Sequence, residues 1–221
     1  MFRPVMNRIS QILTAALAGL LVTAGAASAH PHVWVTMQST VVYGPDGSVT
    51  GIRHAWTFDD MYSAFATQGL ESKKKGEFTP EELQPLAKVN VESLKEYDFF
   101  TYAKANGKNV TFVEPVEYRL EFNSKDTVLT LYFLLPLKTR VKAQTFNLDV
   151  YDQAYFVDFA LAGKDAVQLD KAPAGCQLSL TKPQDMTKEM AERLAQILPG
   201  GQIPDNSYGA AFSNKISVKC P

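Results

Sequence analysis

Apolar and polar residues alternate in short segments along most of the chain, and this period of two limits the fold more than any other feature. The first segment, residues 33–43, places its apolar residues on one face, and a Gly-Pro-Asp-Gly turn leads to a second segment over 48–58. Comparable segments follow at residues 99–105, 109–113, 116–122, 128–135, 145–150 and 155–159. Many short strands in succession predict an α+β, mainly β protein with an antiparallel, β-sandwich-like core.

Two stretches of helical composition, residues 59–70 and 81–97, interrupt the strands. Thr79 supplies an N-cap for the second stretch, Pro80 suits the first helical position, and Glu82 is the acid of a capping box. We therefore expect a helix-turn-helix insert at about residues 59–97 within a single mature domain, 30–221.

The segment between these helices resembles a calcium-binding EF-hand loop in length and spacing. Counted from Glu71, glycine falls at the sixth position and Glu82 at the twelfth, as in such a loop. Lys73 and Lys75, however, occupy positions where calcium requires oxygen ligands. We expect a degenerate EF-hand-like loop that binds no calcium, whose ammonium groups occupy the space of the lost ion.

The C-terminal part of the chain predicts one more helix, at about residues 184–198, followed by a last strand at 215–219. The chain has two cysteines, Cys176 and Cys220, and their spacing differs from the C-x-x-C pattern of redox and metal sites. In an oxidising compartment the two cysteines are expected to form a disulfide that closes the C-terminal segment.

Residues 1–29 have the three parts of a secretory signal peptide. Arg3 and Arg8 form the positive region, residues 12–27 the apolar region, and Ala27-Ser28-Ala29 the cleavage pattern. We expect cleavage after Ala29 and a soluble, periplasmic product. Because 22 Lys and Arg balance 23 Asp and Glu without long runs of like charge, we expect no nucleic-acid partner.

Cleavage after Ala29 would make His30 the N-terminal residue of the mature chain, so that its α-amine and its imidazole could bind one metal ion together. His32 follows two residues later, and these are two of only three histidines in the chain. Pro31 lacks a backbone N–H, which excludes the amino-terminal copper and nickel motif that uses deprotonated amides. His30 and His32 are therefore our first candidates for metal ligands.

Further ligands would have to be acids or the remaining histidine. His54 shares its strand face with apolar residues, which suits a core histidine at least as well as a ligand. Asp59 and Asp60 follow the same strand, where one could cap a helix while the other binds metal. Asp152 ends an apolar row and could instead stabilise a turn. Two imidazoles with one or two carboxylates suit zinc best here, with nickel, cobalt or copper as alternatives.

Three segments carry a resemblance to a known family: His-Pro-His-Val-Trp at 30–34, Trp-Thr-Phe-Asp-Asp-Met-Tyr-Ser at 56–63, and Tyr-Asp-Gln-Ala-Tyr-Phe at 151–156. The chain resembles exported bacterial proteins of unknown function that are described as the periplasmic component of an uncharacterised ABC-type transport system. Members are associated with nickel/cobalt and zinc transport. The resemblance covers nearly the whole mature chain and implies a metal-related periplasmic role.

These observations predict a periplasmic transition-metal-binding protein that serves a membrane metal transporter and is not an enzyme. Two alternatives use the same residues differently. A copper-dependent oxidative enzyme could use the N-terminal histidine, because copper is bound most tightly at nitrogen-rich sites. A structural or assembly module without metal is the other alternative.

Overall fold

The structure is a computed structural model that describes residues 31–183, 187–190 and 208–221. Residues 31–183 and 208–221 lie in one compact unit, and residues 187–190 lie in another. The predicted signal peptide, His30 and most of the helix predicted at 184–198 lie outside the described residues. Within the described ranges, no helix is long and apolar enough to cross a membrane.

The larger unit is mainly β, as the alternating pattern predicted, and consists of two mostly antiparallel sheets with a few helices. Its strands are β1 (Val33–Tyr43), β2 (Val49–Phe58), β3 (Thr101–Ala105), β4 (Lys108–Asn109), β5 (Val116–Asn123), β6 (Val128–Val141), β7 (Thr145–Val150), β8 (Val157–Leu161), β9 (Val167–Asp170), β10 (Gln177–Thr181) and β11 (Asn214–Lys219). Its helices are α1 (Asp60–Thr67), α2 (Pro80–Ser93), a 3₁₀ segment (Leu94–Phe100) and the one-turn α3 (Tyr208–Ala211).

The first sheet has the order β5-β6-β2-β1-β8, and β9 pairs with the far end of β1. Strand β1 runs antiparallel to β2 and parallel to β8. Its apolar face is fully buried, as the alternation of Val35 and Met37 with polar residues predicted. Gly51 on β2 lies so close to the β6 backbone that a Cβ atom there would be 2.8 Å from the Leu135 carbonyl oxygen.

The second sheet has the order β10-β11-β7-β3-β4. Strand β11 confirms the predicted last strand, and the predicted disulfide joins Cys176 to Cys220. These residues lie directly before β10 and directly after β11, where the register pairs Gln177 with Lys219. The cross-link therefore fixes the outer pair of strands, and closing its loop stabilises the fold by about 4 kcal/mol in the chain-entropy model.

The two helical stretches are present in the structure: α1 lies inside the range 59–70, and α2 begins at Pro80, the predicted first helical position. The capping box of α2 is confirmed: Thr79 Oγ1 accepts the Glu82 N–H, and Glu82 accepts the Thr79 N–H at 2.8 Å. Glu82 also accepts the Lys73 N–H at 2.9 Å, and Lys74 pairs with Glu77 across the loop. These contacts close the segment between the helices.

The strands differ from the prediction at several places. Strand β6 continues six residues beyond its predicted end at 135, and β9 and β10 were not predicted. The predicted strand at 99–105 begins only at Thr101, because Asp98, Phe99 and Phe100 adopt left-handed backbone angles within the 3₁₀ segment. The strand predicted at 109–113 is reduced to β4 and one bridge between Phe112 and Leu137. The strand predicted at 155–159 starts two residues later, because a turn occupies the preceding positions.

Candidate metal site

The ends of three neighbouring strands bring four of the predicted ligands, His32, Asp59, Asp60 and Asp152, to one end of the first sheet. Because β2 is antiparallel and β8 parallel to β1, the start of β1, the end of β2 and the start of β8 lie at one end of the first sheet. The Asp59 N–H donates to the Trp34 carbonyl at 2.9 Å, and the His32 N–H donates to the Phe156 carbonyl at 2.9 Å. We call this region the strand-end cluster: His32, Trp34, Asp59, Asp60, Asp152, Phe156 and Asp158.

Asp59 and Asp60 differ sharply, although they are adjacent. Asp59 is the N-cap of α1: its Oδ1 accepts the Tyr62 N–H at 2.8 Å, and its Oδ2 accepts the Trp34 N–H at 2.8 Å. The Asp59 carboxylate thus ties the helix to β1. Asp60 is exposed, and its Oδ1 accepts the N–H of Met61 at 2.9 Å. Asp59 therefore takes the capping role, and Asp60 is the more accessible carboxylate.

Asp152 is buried and organises the turn that leads into β8. Its Oδ1 accepts the Ala154 N–H at 2.9 Å, while its Oδ2 accepts the N–H groups of Phe156 at 2.9 Å and Val157 at 3.1 Å. This is the Asx-type turn that was the alternative to a ligand role. The backbone of Asp152 also packs so closely against Gly209 that no larger residue fits there.

His54 lies away from the strand-end cluster, in the middle of β2. Its Nδ1 is 2.9 Å from Ser39 Oγ, and its Nε2 is 3.4 Å from Thr101 Oγ1. Since the Thr101 hydroxyl donates to the Phe99 carbonyl at 2.8 Å, Nε2 is assigned as the protonated nitrogen and Nδ1 as an acceptor. Burial lowers the pKa of His54 to about 3, so the imidazole is neutral. His54 is a core histidine.

His32 is exposed and lies directly before β1, where continued alternation would place it on the outward face of the first sheet. Its ring packs against Phe156, with 4.6 Å between ring centroids. The parallel register places Asp158 directly beside Trp34, the next outward residue of β1 after His32. By this alternation His32 lies on the same face as Asp158, on the neighbouring strand and two positions before Trp34, the partner of Asp158.

Asp158 is the residue that sequence reasoning missed at this cluster. Burial raises its pKa, and its carboxylate has no hydrogen-bond or ion-pair partner among the residues that the structure describes. The available signal was alternation: Phe159 points inward, so Asp158 must point outward. Its position beside Trp34 follows only from the register between β1 and β8. Phe156 was noticed as part of a sequence motif, but its contact with His32 could not be read from the sequence.

Within residues 31–183, 187–190 and 208–221, no three His, Cys, Asp or Glu side chains are close enough together to hold a metal ion. The described residues therefore form no complete metal site by themselves. Asp59 and Asp152 lie at the same strand ends, with their oxygens accepting backbone N–H groups. His30 lies outside the described residues.

Comparison with known proteins places the chain among uncharacterised relatives. A family model described as "Protein of unknown function (DUF1007)" matches residues 15–220. An uncharacterised protein of Haemophilus influenzae is 27% identical over 207 residues, which cover 92% of this chain and 97% of the relative. The likeness therefore extends over the strand-end cluster and both sheets.

Proposed function

The chain belongs to the DUF1007 family of proteins of unknown function, and we propose that it is a periplasmic protein that binds a divalent transition metal. Its role is to capture or buffer zinc, or nickel and cobalt, for a membrane metal transporter. The observation that supports this proposal is that His32, two residues after the proposed cleavage point, and Asp158 fall on one outward face at the end of the first sheet.

The proposed donor set combines the N-terminus with these two side chains. Cleavage after Ala29 would add the α-amine and the imidazole of His30, two positions before His32. Two imidazoles, an amine and a carboxylate suit zinc, nickel or cobalt(II) better than the all-oxygen preference of calcium and magnesium. Asp60 is a second available carboxylate, whereas Asp59 and Asp152 hold the strand ends in place.

Export is supported by the signal-like N-terminus and by the Cys176–Cys220 disulfide, because disulfides persist in oxidising compartments such as the periplasm. The expected mature chain begins at His30. Intact mass of the protein purified from the periplasm checks this start directly, and it must be verified before metal is added. A start at any other residue would remove the proposed amine ligand.

We infer that the loop at 71–82 is an EF-hand-like relic without a calcium role. The Glu82 carboxylate, which would be the bidentate calcium ligand, instead accepts the backbone N–H groups of Thr79 and Lys73. These two hydrogen bonds lower the pKa of Glu82. The contacts support a loop whose closing interactions replace an ion.

We also infer that the two sheets pack as a sandwich. His54 on β2 of the first sheet reaches Thr101 on β3 of the second, so side chains of both sheets meet in one core. Trp56 of the first sheet likewise packs on Phe100, directly before β3, with 6.3 Å between ring centroids. Contacts of this kind are what facing sheets make across a sandwich core.

The metal proposal is tested by calorimetric titration of zinc, nickel and cobalt into the mature protein with His30 at its N-terminus. We expect one equivalent of metal to bind, and His32→Ala to weaken binding by about tenfold or more, the scale for damage to a coordination sphere. Asp158→Asn should weaken it in the same way. One extra residue before His30 should do so too, because it removes the amine.

Gln38→Ala is the matched control, because Gln38 is exposed on the same face of β1 further from the strand end. It should bind metal as the unchanged protein does. Stoichiometric binding that His32→Ala leaves intact would disprove the proposed site. A mature protein that takes up none of the three metals would disprove the proposed function and favour a structural or assembly role.

A further inference from the structure

A cavity of about 600 Å³ opens beneath the strand-end cluster, on the inner side of the first sheet. Its walls come from the start of β1, the end of β2, the end of α2 with the 3₁₀ segment, and the turn at 152–157. Aromatic rings dominate these walls: Trp56, Phe58, Tyr62, Tyr97, Phe100 and Phe156. Volume and lining match those of small-molecule sites, which are mostly apolar clefts of roughly 300–1,000 Å³.

The charge of the lining restricts what the cavity can hold. Among the described residues, no Lys, Arg or His lines it, and Asp152 is the one acidic residue in its walls. The Asp152 oxygens already accept three backbone N–H groups, so they have little remaining capacity for a ligand. An anion would meet this carboxylate without any compensating cation, and an uncharged ligand avoids that cost.

Trp56 places a buried hydrogen-bond donor in an otherwise apolar wall. Its side chain is 1% exposed, and its indole Nε1 has no hydrogen-bond partner among the described residues. A buried donor without an acceptor is unfavourable, and native proteins rarely leave one. A ligand that carries a carbonyl or ether oxygen against this wall could supply the missing acceptor after a small rotation of the indole.

Backbone strain is concentrated on two sides of the same cavity. Asp98, Phe99 and Phe100 have φ angles of 50°, 56° and 49°, and Tyr155 in the opposite turn has a φ of 53°. L-residues adopt such angles at a cost, and consecutive ones are rare. Strained segments of this kind cluster at ligand clamps, where the surrounding structure holds them in place. Here they position Phe100 and Phe156, which both line the cavity.

We propose that this cavity binds an uncharged, mainly aromatic or apolar small molecule that carries a hydrogen-bond acceptor. The site is distinct from the proposed metal site, which lies on the outward face of the same sheet. Its mouth is bordered by the half-exposed rings of Tyr97 and Phe156. The two sites share the strand ends and the Phe156 ring, which packs against His32 and also lines the cavity, but the proposed metal ligands and the cavity use opposite faces of the sheet.

Three naphthalenes of similar size test the ligand class by competition against the fluorescent probe N-phenyl-1-naphthylamine. We expect saturable binding of the probe at one site. 2-Acetylnaphthalene, which has an acceptor, should displace it at least threefold better than 2-ethylnaphthalene, which has none. Naphthalene-2-carboxylate, which is anionic, should be at least tenfold weaker than the ketone. If the carboxylate or the ethyl compound displaced the probe as well as the ketone does, the proposed ligand class would be wrong.

Two variants fill the cavity from opposite walls and locate the probe. Ser93→Phe adds a ring at an exposed position at the end of α2, and Ala154→Leu adds bulk from the facing turn. Each should weaken probe binding at least tenfold while circular dichroism stays unchanged. Ser124→Phe is the control, because Ser124 is exposed and does not line the cavity. Equal probe binding by Ser93→Phe, Ala154→Leu and the control would refute the proposal.

Discussion

The middle and the end of the β1–β2 pair use polar residues in opposite ways. In the middle, His54 is enclosed, and side-chain hydroxyls of Ser39 and Thr101 are its partners. At the end, Asp59 and Asp152 accept backbone N–H groups, and His32 is exposed on the outward face. The same strand pair therefore holds one histidine in its neutral form in the core, and a second histidine lies exposed directly before β1.

The difference shows that a polar residue's role here is set by what covers it. The second sheet and its aromatic neighbours cover His54, whose ring lies 5.1 Å from that of Phe133 and 5.3 Å from that of Trp56. Burial in that environment excludes the charged imidazole. At the strand end, Asp59 and Asp152 accept backbone N–H groups, so polar side chains there order the main chain.

The largest expected effect on stability comes from removing the Asp152 carboxylate at the strand end. Asp152→Ala removes the acceptor of three N–H groups around a buried carboxylate, and we expect it to lower the free energy of unfolding by about 3 kcal/mol or more. Urea unfolding at neutral pH measures this loss. Asp152→Asn keeps one oxygen and should lose less. A loss below about 1 kcal/mol in the alanine variant would mean that the turn is held mainly by other contacts.

The second largest expected effect concerns the buried, neutral His54 in the middle of the strand pair. Its pKa falls from 6.5 to about 3 on folding because of burial. Above pH 6.5 neither state binds the proton, so stability is unaffected. Below it the unfolded state binds the proton and the folded state does not, so stability falls by about 1.4 kcal/mol per pH unit, or about 2 kcal/mol at pH 5.

His54→Gln removes this titration, so the comparison is between slopes and not between absolute stabilities. Urea unfolding of both proteins at pH 7, 6 and 5 should show a steeper loss in the unchanged protein. The variant retains the contribution of the carboxylates, which cancels in the difference. Parallel pH profiles would mean that His54 takes up its proton between pH 7 and pH 5 as readily in the folded protein as in the unfolded one, contrary to its burial.

Sequence patterns predicted the repetitive parts of this molecule and missed the parts that depend on contacts between distant segments. Alternation located β1 and β2, capping residues located α2, and cysteine count predicted the disulfide. The prediction that a strand starts at Phe99 was wrong. Leu94 and Phe99 are buried there in a 3₁₀ segment that contains left-handed residues. Local propensity does not contain that information.

In the candidate site, too, some residues could be predicted from the sequence and others could not. His32 and the carboxylates of Asp59, Asp60 and Asp152 could be named from sequence, and their meeting at one sheet end follows from strand direction. That Asp158 lies beside Trp34 could not be predicted, because it depends on the parallel pairing of β8 with β1 across more than a hundred intervening residues. Register between distant strands is decided by the whole core.

The smallest expected effect is the difference in stability between variants of the two adjacent acids at the strand end, Asp59 and Asp60. Asp59→Ala removes the N-cap of α1 and the acceptor of the Trp34 N–H, which should lower the free energy of unfolding by about 1–2 kcal/mol. Asp60→Ala changes an exposed side chain and should stay within about 0.5 kcal/mol of the unchanged protein. Thermal and urea unfolding of the two variants, measured side by side, test the pair. Equal losses would mean that Asp59 does not anchor β1 to the helix, and the strand end would then owe its order to the Asp152 turn alone.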